Sequence, residues 1–301
     1  MYDVIIIGAG PAGLTAAIYT GRANLKTLVL GGQVMGGNAA LTDKIANYPG
    51  FPEEIEGLEL MERFQKQAVN FGAEIKMEEV LHIEDLGNTK KVVSEAGEYT
   101  CRAVILAMGA RRKELGVPGE KEFLGRGVSY CATCDGAFFA GVPVAIIGGG
   151  DSAVKEALYM ADIASKVYVI TLMPYFTANK TDLDKVLQHE KIQTMVNREV
   201  VAINGEEMVA SITLRDTTTG KEEILPVEGV FISIGLTPAS ELVRDLVKTE
   251  AGYVITDEDM HTSVKGIFAA GDIRSKKWRQ VANAVGDGAV AGIAVAEYLK
   301  E

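Results

Sequence analysis

The sequence predicts an α/β protein built from two Rossmann-like dinucleotide-binding units with mainly parallel sheets. Three observations carry that prediction. The first is a segment that runs Tyr2-Asp-Val-Ile-Ile-Ile-Gly8-Ala-Gly10-Pro11-Ala12-Gly13 and continues in a helical pattern to about Ala23. The second is its repeat, Val142-Pro-Val-Ala-Ile-Ile-Gly148-Gly-Gly150-Asp-Ser-Ala153, helical to about Ile163. The third is a further apolar strand after each, at Thr27–Leu30 and at Val167–Thr171. Strand, Gly-rich turn, helix and strand together begin a βαβ unit. Alternation of this kind sets strands in parallel with helices on their faces.

Each element has a physical reading. In the first turn Gly8 permits the sharp bend, Gly10 lets backbone approach a pyrophosphate, and Gly13 lets helix and strand pack closely. The helix start then offers free N–H groups and the positive end of its dipole to the phosphates. The expected ribose carboxylate is absent: the second strand ends Leu30-Gly31-Gly32. The repeat keeps the spacing at Gly148, Gly150 and Ala153. Its following strand reads Val169-Ile-Thr-Leu-Met-Pro-Tyr-Phe-Thr177, without the acid that NAD requires or the base that NADP requires. Two readings stay open here, a working nucleotide site and a nucleotide fold kept as scaffold.

Between the repeats' elements stands Cys131-Ala-Thr-Cys134-Asp135-Gly136. Two intervening residues let both sulfurs meet in one turn, so a disulfide can form and break with little backbone motion. A helix start nearby would favour thiolate, and Asp135 could carry a proton to or from a leaving thiolate. Half of a zinc site is the alternative. Zinc would need two more ligands from Cys101, His82, His189 and His261, so no metal is expected. Near the end, Gly271-Asp272 closes a strand and leads through Arg279-Gln280-Val281 into a last helix, about 281 to 299. A carboxylate and a helix N-terminus at that place suit a polar cofactor chain.

Composition bounds the function. Hydrophobic residues make up 48% of 301 residues, enough for two cored domains. Thirty Lys and Arg stand against 41 Asp and Glu, a net charge of −11, which argues against nucleic acid or an anionic membrane as partner. Three cysteines are too few for a disulfide framework and fit a reducing cytosol. No basic leader opens the chain and no apolar run reaches membrane length, so a cytoplasmic location is expected.

Taken together these residues resemble the low-molecular-weight flavin thioredoxin reductase family along nearly the whole chain. The likeness rests on the first turn, Ile45-Ala-Asn47-Tyr-Pro-Gly-Phe-Pro, the C-A-T-C-D-G, the second turn, Gly229-Val-Phe-Ile-Ser-Ile-Gly-Leu-Thr-Pro238 and Gly271-Asp272. It implies an FAD domain split over residues 1–112 and 241–301, with a nicotinamide-nucleotide-like domain, 113–240, inserted between and carrying the cysteines. It implies FAD contacts from the Gly8–Gly13 turn with Pro11 and Ala12, from Gly37, Asn38 and Asn47, and from Gly271, Asp272, Arg279, Gln280 and Val281. It implies that Cys134 faces the flavin, that Cys131 attacks thioredoxin, that Asp135 donates a proton, and that the chain forms a homodimer.

Two departures matter. Where the family carries Gly-Gly-Gln beside the flavin, this chain has Gly36-Gly37-Asn38. Where the family carries His-Arg-Arg and a further Arg to hold the 2′-phosphate of NADPH, this chain has Thr171, Leu172, Met173 and Thr177. The chain therefore most resembles the ferredoxin-dependent branch, with Arg274-Ser-Lys276-Lys277-Trp278-Arg279 as the expected landing site for an acidic ferredoxin. An NADH- or NADPH-driven reductase, an FAD-dependent dithiol oxidase and a flavin-binding sensor are the other readings.

Overall fold

The computed structural model describes residues 1–42 and 44–300. The chain divides into two compact units, Met1–Arg111 with Thr237–Glu301, and Arg112–Leu236. Both are Rossmann-like, and the second is inserted into the first.

In the first unit five parallel strands lie in the order Glu74–Lys76, Thr27–Leu30, Tyr2–Ile7, Glu98–Leu106 and Ile267–Ala269. Strands Val80–Asp85 and Lys90–Ser94 extend the sheet antiparallel from the early part of Glu98–Leu106. Within the strand Tyr2–Ile7 the run Val4–Ile7 is apolar without alternation because both of its faces are buried. Val4 and Ile6 enter one core with the helices, while Ile5 and Ile7 enter another with Leu28, Leu106 and Val243. The first helix, Pro11–Arg22, packs along the last, Val281–Tyr298. Small residues allow it: a side chain at Gly288 would come 2.2 Å from the carbonyl of Ala12, and one at Gly292 would come 2.7 Å from Cβ of Tyr19.

The second unit holds five parallel strands in the order Val128–Ser129, Gly229–Ile232, Pro143–Ile147, Lys166–Ile170 and Ile192–Met195. Helix Asp151–Ala161 lays Ala153, Val154, Ala157 and Met160 on Val144, Ile146, Val167 and Val169. An antiparallel sheet of Arg198–Gly205, Val209–Asp216 and Glu222–Pro226 follows. No helix among the described residues is long and apolar enough to cross a membrane.

Candidate functional site

The first Gly-rich turn has the form its sequence implies. Gly8 sits at φ +108°, and a Cβ there would lie 2.3 Å from the carbonyl oxygen of Ala107. A Cβ at Gly13 would lie 1.9 Å from the carbonyl oxygen of Gly8. Gly10 differs: a Cβ there would meet nothing nearer than 3.9 Å, so the space beside it is open. Gly10 is also the N-cap of Pro11–Arg22, with no side chain capping the helix and no acid in its first turn. The N–H groups of that turn are left for an anion, and a pyrophosphate fits the cradle by both shape and sign.

The other expected FAD contacts lie in the same unit. Asn38 donates to the carbonyl of Ala110 at 2.8 Å, and a Cβ at Gly37 would come 3.5 Å from Cα of Gly10. Asn47 donates to Oε1 of Gln280 at 3.2 Å, bringing two expected contacts together. Gly271 sits at φ +81°, where a Cβ would come 2.8 Å from Cβ of Ala12. Its N–H donates to Asp287 at 3.0 Å. Asp272 follows in a short 3-10 turn with Lys276 3.8 Å away, and Arg279 donates to its carbonyl at 3.3 Å. Gln280 is the N-cap of the last helix and Val281 its first residue, packed on the cluster of Ile45, Ile55 and Leu60.

The basic segment expected to receive ferredoxin is largely committed to its own unit. Arg274 and Lys276 both pair with Asp287, at 2.8 and 2.9 Å, and their side chains are only 13% and 14% exposed. The Arg279 guanidinium lies 4.1 Å from the Tyr253 ring centroid. Lys277 over the exposed Trp278 is a different case, a surface pair. Asp287 could not be picked out as the acceptor from sequence, because it lies on the following helix.

In the second unit Cys131 and Cys134 form a disulfide with Cα atoms 5.3 Å apart. The helix anticipated beside them is a single turn, Ala132–Asp135, passing into the 3-10 turn Gly136–Phe139. Cys131 is its N-cap, and its carbonyl accepts from the N–H of Cys134 and of Asp135, at 3.2 and 3.1 Å. Four residues carry little dipole, so the turn's main service is to set Asp135 next to the sulfurs in chain order. Ser129, at the end of its strand and buried, donates to Asp135 Oδ2 at 2.5 Å and accepts from the N–H of Cys131 at 3.0 Å. Cys101 stands apart in the first unit, wholly buried, with desolvation pushing its thiol up to about 12.

The second Gly-rich turn is filled in by the chain itself. Thr177 donates its N–H to the carbonyl of Gly149 at 2.7 Å, and Asp151 accepts from the N–H and side-chain amide of Asn179 at 2.7 and 2.8 Å. Thr171 is buried, and a Cβ at Gly149 would lie 2.7 Å from its hydroxyl. Leu172, Met173 and Tyr175 are exposed. The N–H of Arg198 donates to the carbonyl of Thr171, but its guanidinium goes to Asp216 and Glu223.

Glu156 is a residue that sequence reasoning missed. It sits on the helix after this turn, among the buried Ala153, Ala157 and Met160, and the signal was an acid interrupting that apolar i, i+3, i+4 stripe. Burial raises its carboxyl to about 7, against hydrogen bonding from Ser233 and the charge of Arg112, which lower it. Its Oε2 is buried without a hydrogen-bond partner. Between its ordinary value of 4.5 and about 7, the folded chain keeps a proton that the unfolded chain has released. Stability therefore falls as pH rises through that window. Glu156→Gln should remove this slope and gain up to about 3 kcal/mol on the parent between pH 5 and pH 8. Urea unfolding at the two pH values checks it, and parallel pH dependence of the two proteins would refute it.

This geometry has close counterparts among known proteins. Residues 2–288 match the family model described as pyridine nucleotide-disulphide oxidoreductase. A thioredoxin reductase of Treponema pallidum is 46% identical over 298 residues, covering 99% of this chain and 97% of the relative. One from Bacillus subtilis is 46% identical over 303 residues, covering 100% and 96%. The crystal structure of thioredoxin reductase from Streptococcus pyogenes superposes with TM-score 0.95 at 41% identity, covering 100% of this chain and 98% of that one.

Proposed function

Since the chain belongs to the pyridine nucleotide-disulphide oxidoreductase family, among its low-molecular-weight thioredoxin reductases, we propose that it reduces thioredoxin with electrons from a donor other than NADPH. It is an FAD-dependent flavoprotein with a redox-active disulfide. Bound FAD supplies a two-electron store. The chain's own residues do the rest. The Gly8–Gly13 turn and the first helix hold the pyrophosphate, Asn47, Asp272 and Gln280 orient the polar chain, and Cys131 and Cys134 exchange their disulfide with that of thioredoxin. In this reading Cys134 is the sulfur toward the flavin, Cys131 the attacking one, and Asp135 the acid that protonates the departing thioredoxin thiolate.

The donor reading rests on one observation, the uncharged run from Thr171 to Thr177. A charge-assisted hydrogen bond contributes about 1.5–3 kcal/mol. Without three such bonds to its 2′-phosphate, NADPH binds more weakly by about three powers of ten or more, at about 1.4 kcal/mol for each power. Reduced ferredoxin needs no nucleotide grip, and a bare strand end is compatible with it. The inward pairing of Arg274 and Lys276 means that a ferredoxin would have to dock elsewhere or through the exposed Lys277. NADH is the second reading, favoured by the retained spacing of Gly148, Gly150 and Ala153.

An anaerobic titration separates them. Flavin absorbance is followed while NADPH, NADH and reduced ferredoxin are added to separate samples without thioredoxin, so that electrons delivered to the protein accumulate on the flavin once the disulfide is reduced. The expected result is no bleaching by NADPH below millimolar concentration, with one of the other two effective. Rapid bleaching by micromolar NADPH would sink the proposal.

A further inference from the structure

We propose that Ser129 is a positioning residue for Asp135, fixing the acid's orientation and sharpening its acidity while the cysteine pair opens and closes. The inference deepens the reading above and rests on Asp135 as the proton donor.

The geometry is a chain of two hydrogen bonds through one oxygen. The N–H of Cys131 donates to Ser129 Oγ at 3.0 Å, and the Ser129 hydroxyl donates to Asp135 Oδ2 at 2.5 Å. The carbonyl of Cys131 lies 3.5 Å from the same hydroxyl, a poorer acceptor for its single proton. Ser129 is anchored independently of the cysteine turn. It ends strand Val128–Ser129, which pairs in parallel with Val230 and Phe231, and it is 4% exposed. A side chain fixed to the sheet thus grips both the first residue of the redox turn and the last.

The chemistry gives this a use. Reduction adds two electrons to the Cys131–Cys134 disulfide. The Cys131 thiolate then attacks the thioredoxin disulfide, forming one S–S bond as another breaks, and the departing thioredoxin thiolate takes the Asp135 proton. The Cys134 thiolate next attacks the mixed disulfide, restoring the Cys131–Cys134 bond and releasing the second thioredoxin thiolate, which is protonated from solvent. Once its proton has gone, Asp135 is a carboxylate, and a hydroxyl already aimed at Oδ2 favours that charged form. The sulfurs can part without carrying Asp135 with them, because its anchor is on the strand.

Other titratable groups stand near enough to confuse a pH profile. They are Cys131, Cys134 and Tyr130 in the turn, and Asp151, Lys155, Glu156 and Tyr159 on the helix packed against it; the following 3-10 turn, Gly136–Phe139, has none. Glu156 is the one shifted to about 7. The experiment therefore measures kcat for thioredoxin reduction against pH in the FAD-loaded protein and in S129A, S129T, D135N and E156Q.

For S129A the expected result is a loss of about tenfold in kcat with the limb due to Asp135 moved up by about half to one pH unit. Ser129→Thr should return both, D135N should abolish the limb, and E156Q should keep it. Flavin content and melting temperature are read for each protein. Should S129A not keep them, Ser129→Val, a strand former with the shape of threonine and no hydroxyl, gives the same readout. A parental limb in both hydroxyl-free variants, with the limb abolished in D135N, overturns the role of Ser129 and leaves Asp135 standing. A limb that survives D135N, or that disappears in E156Q, overturns the assignment of Asp135 and this inference with it.

Discussion

Cys134→Ser protein is expected to keep its FAD and to lose thioredoxin reduction by a thousandfold or more, on the order seen when one member of a catalytic unit is removed. Cys131→Ser should lose as much, and the double variant no more, because neither sulfur has a redox role without the other. The two single variants differ in what they trap. With Cys134 replaced, the proposed roles leave a reduced Cys131 to attack the thioredoxin disulfide, with no second sulfur to release the mixed disulfide. A covalent complex should then accumulate on a non-reducing gel, and dithiothreitol should dissolve it. With Cys131 replaced, the outward attack is lost and the complex should not form. The reverse pattern would exchange the roles of the two cysteines, and retained turnover in either variant would remove the disulfide from the mechanism.

The second large effect separates two glycines of one turn. In the first turn of a helix, Gly13→Ala would by propensity alone stabilise by about 1 kcal/mol. Its Cβ, however, would stand 1.9 Å from the carbonyl oxygen of Gly8, a backbone atom fixed by the strand before it. Relief requires the helix to leave the sheet, at a cost of about 3 kcal/mol or more. Gly10→Ala meets nothing within 3.9 Å, so its fold should hold within about 1 kcal/mol. Its methyl instead points into the open cradle where pyrophosphate belongs. We expect Gly13→Ala to melt early, and Gly10→Ala to melt near the parent apoprotein while binding FAD more weakly. Melting temperature of apoprotein and FAD content per chain read the two effects separately. Equal losses from both would mean that the turn acts only as structure.

These cases mark where sequence was informative. Both Gly-rich turns, the strands around them and the last helix could be read because close packing leaves a spacing of glycines and apolar runs in the chain itself. The disulfide was legible for the same local reason. Ser129 and Glu156 were not, because their roles depend on partners that only folding brings near: a serine two residues before a cysteine is ordinary until its hydroxyl is seen aimed at Asp135. The landing site read from Arg274 to Arg279 failed to account for Asp287, which draws two of its cations inward. Charge in a sequence is counted, but its direction is set by tertiary contacts.

The position of Cys101 bears on the fidelity of turnover. A disulfide enzyme is exposed to scrambling each time its pair opens, since any further reactive thiol can capture the wrong partner. Here the third sulfur lies in the sheet between Tyr2 and Lys90, sealed from solvent and held as thiol at any physiological pH. Every opening of Cys131–Cys134 therefore has two exits only, back to itself or forward to a substrate.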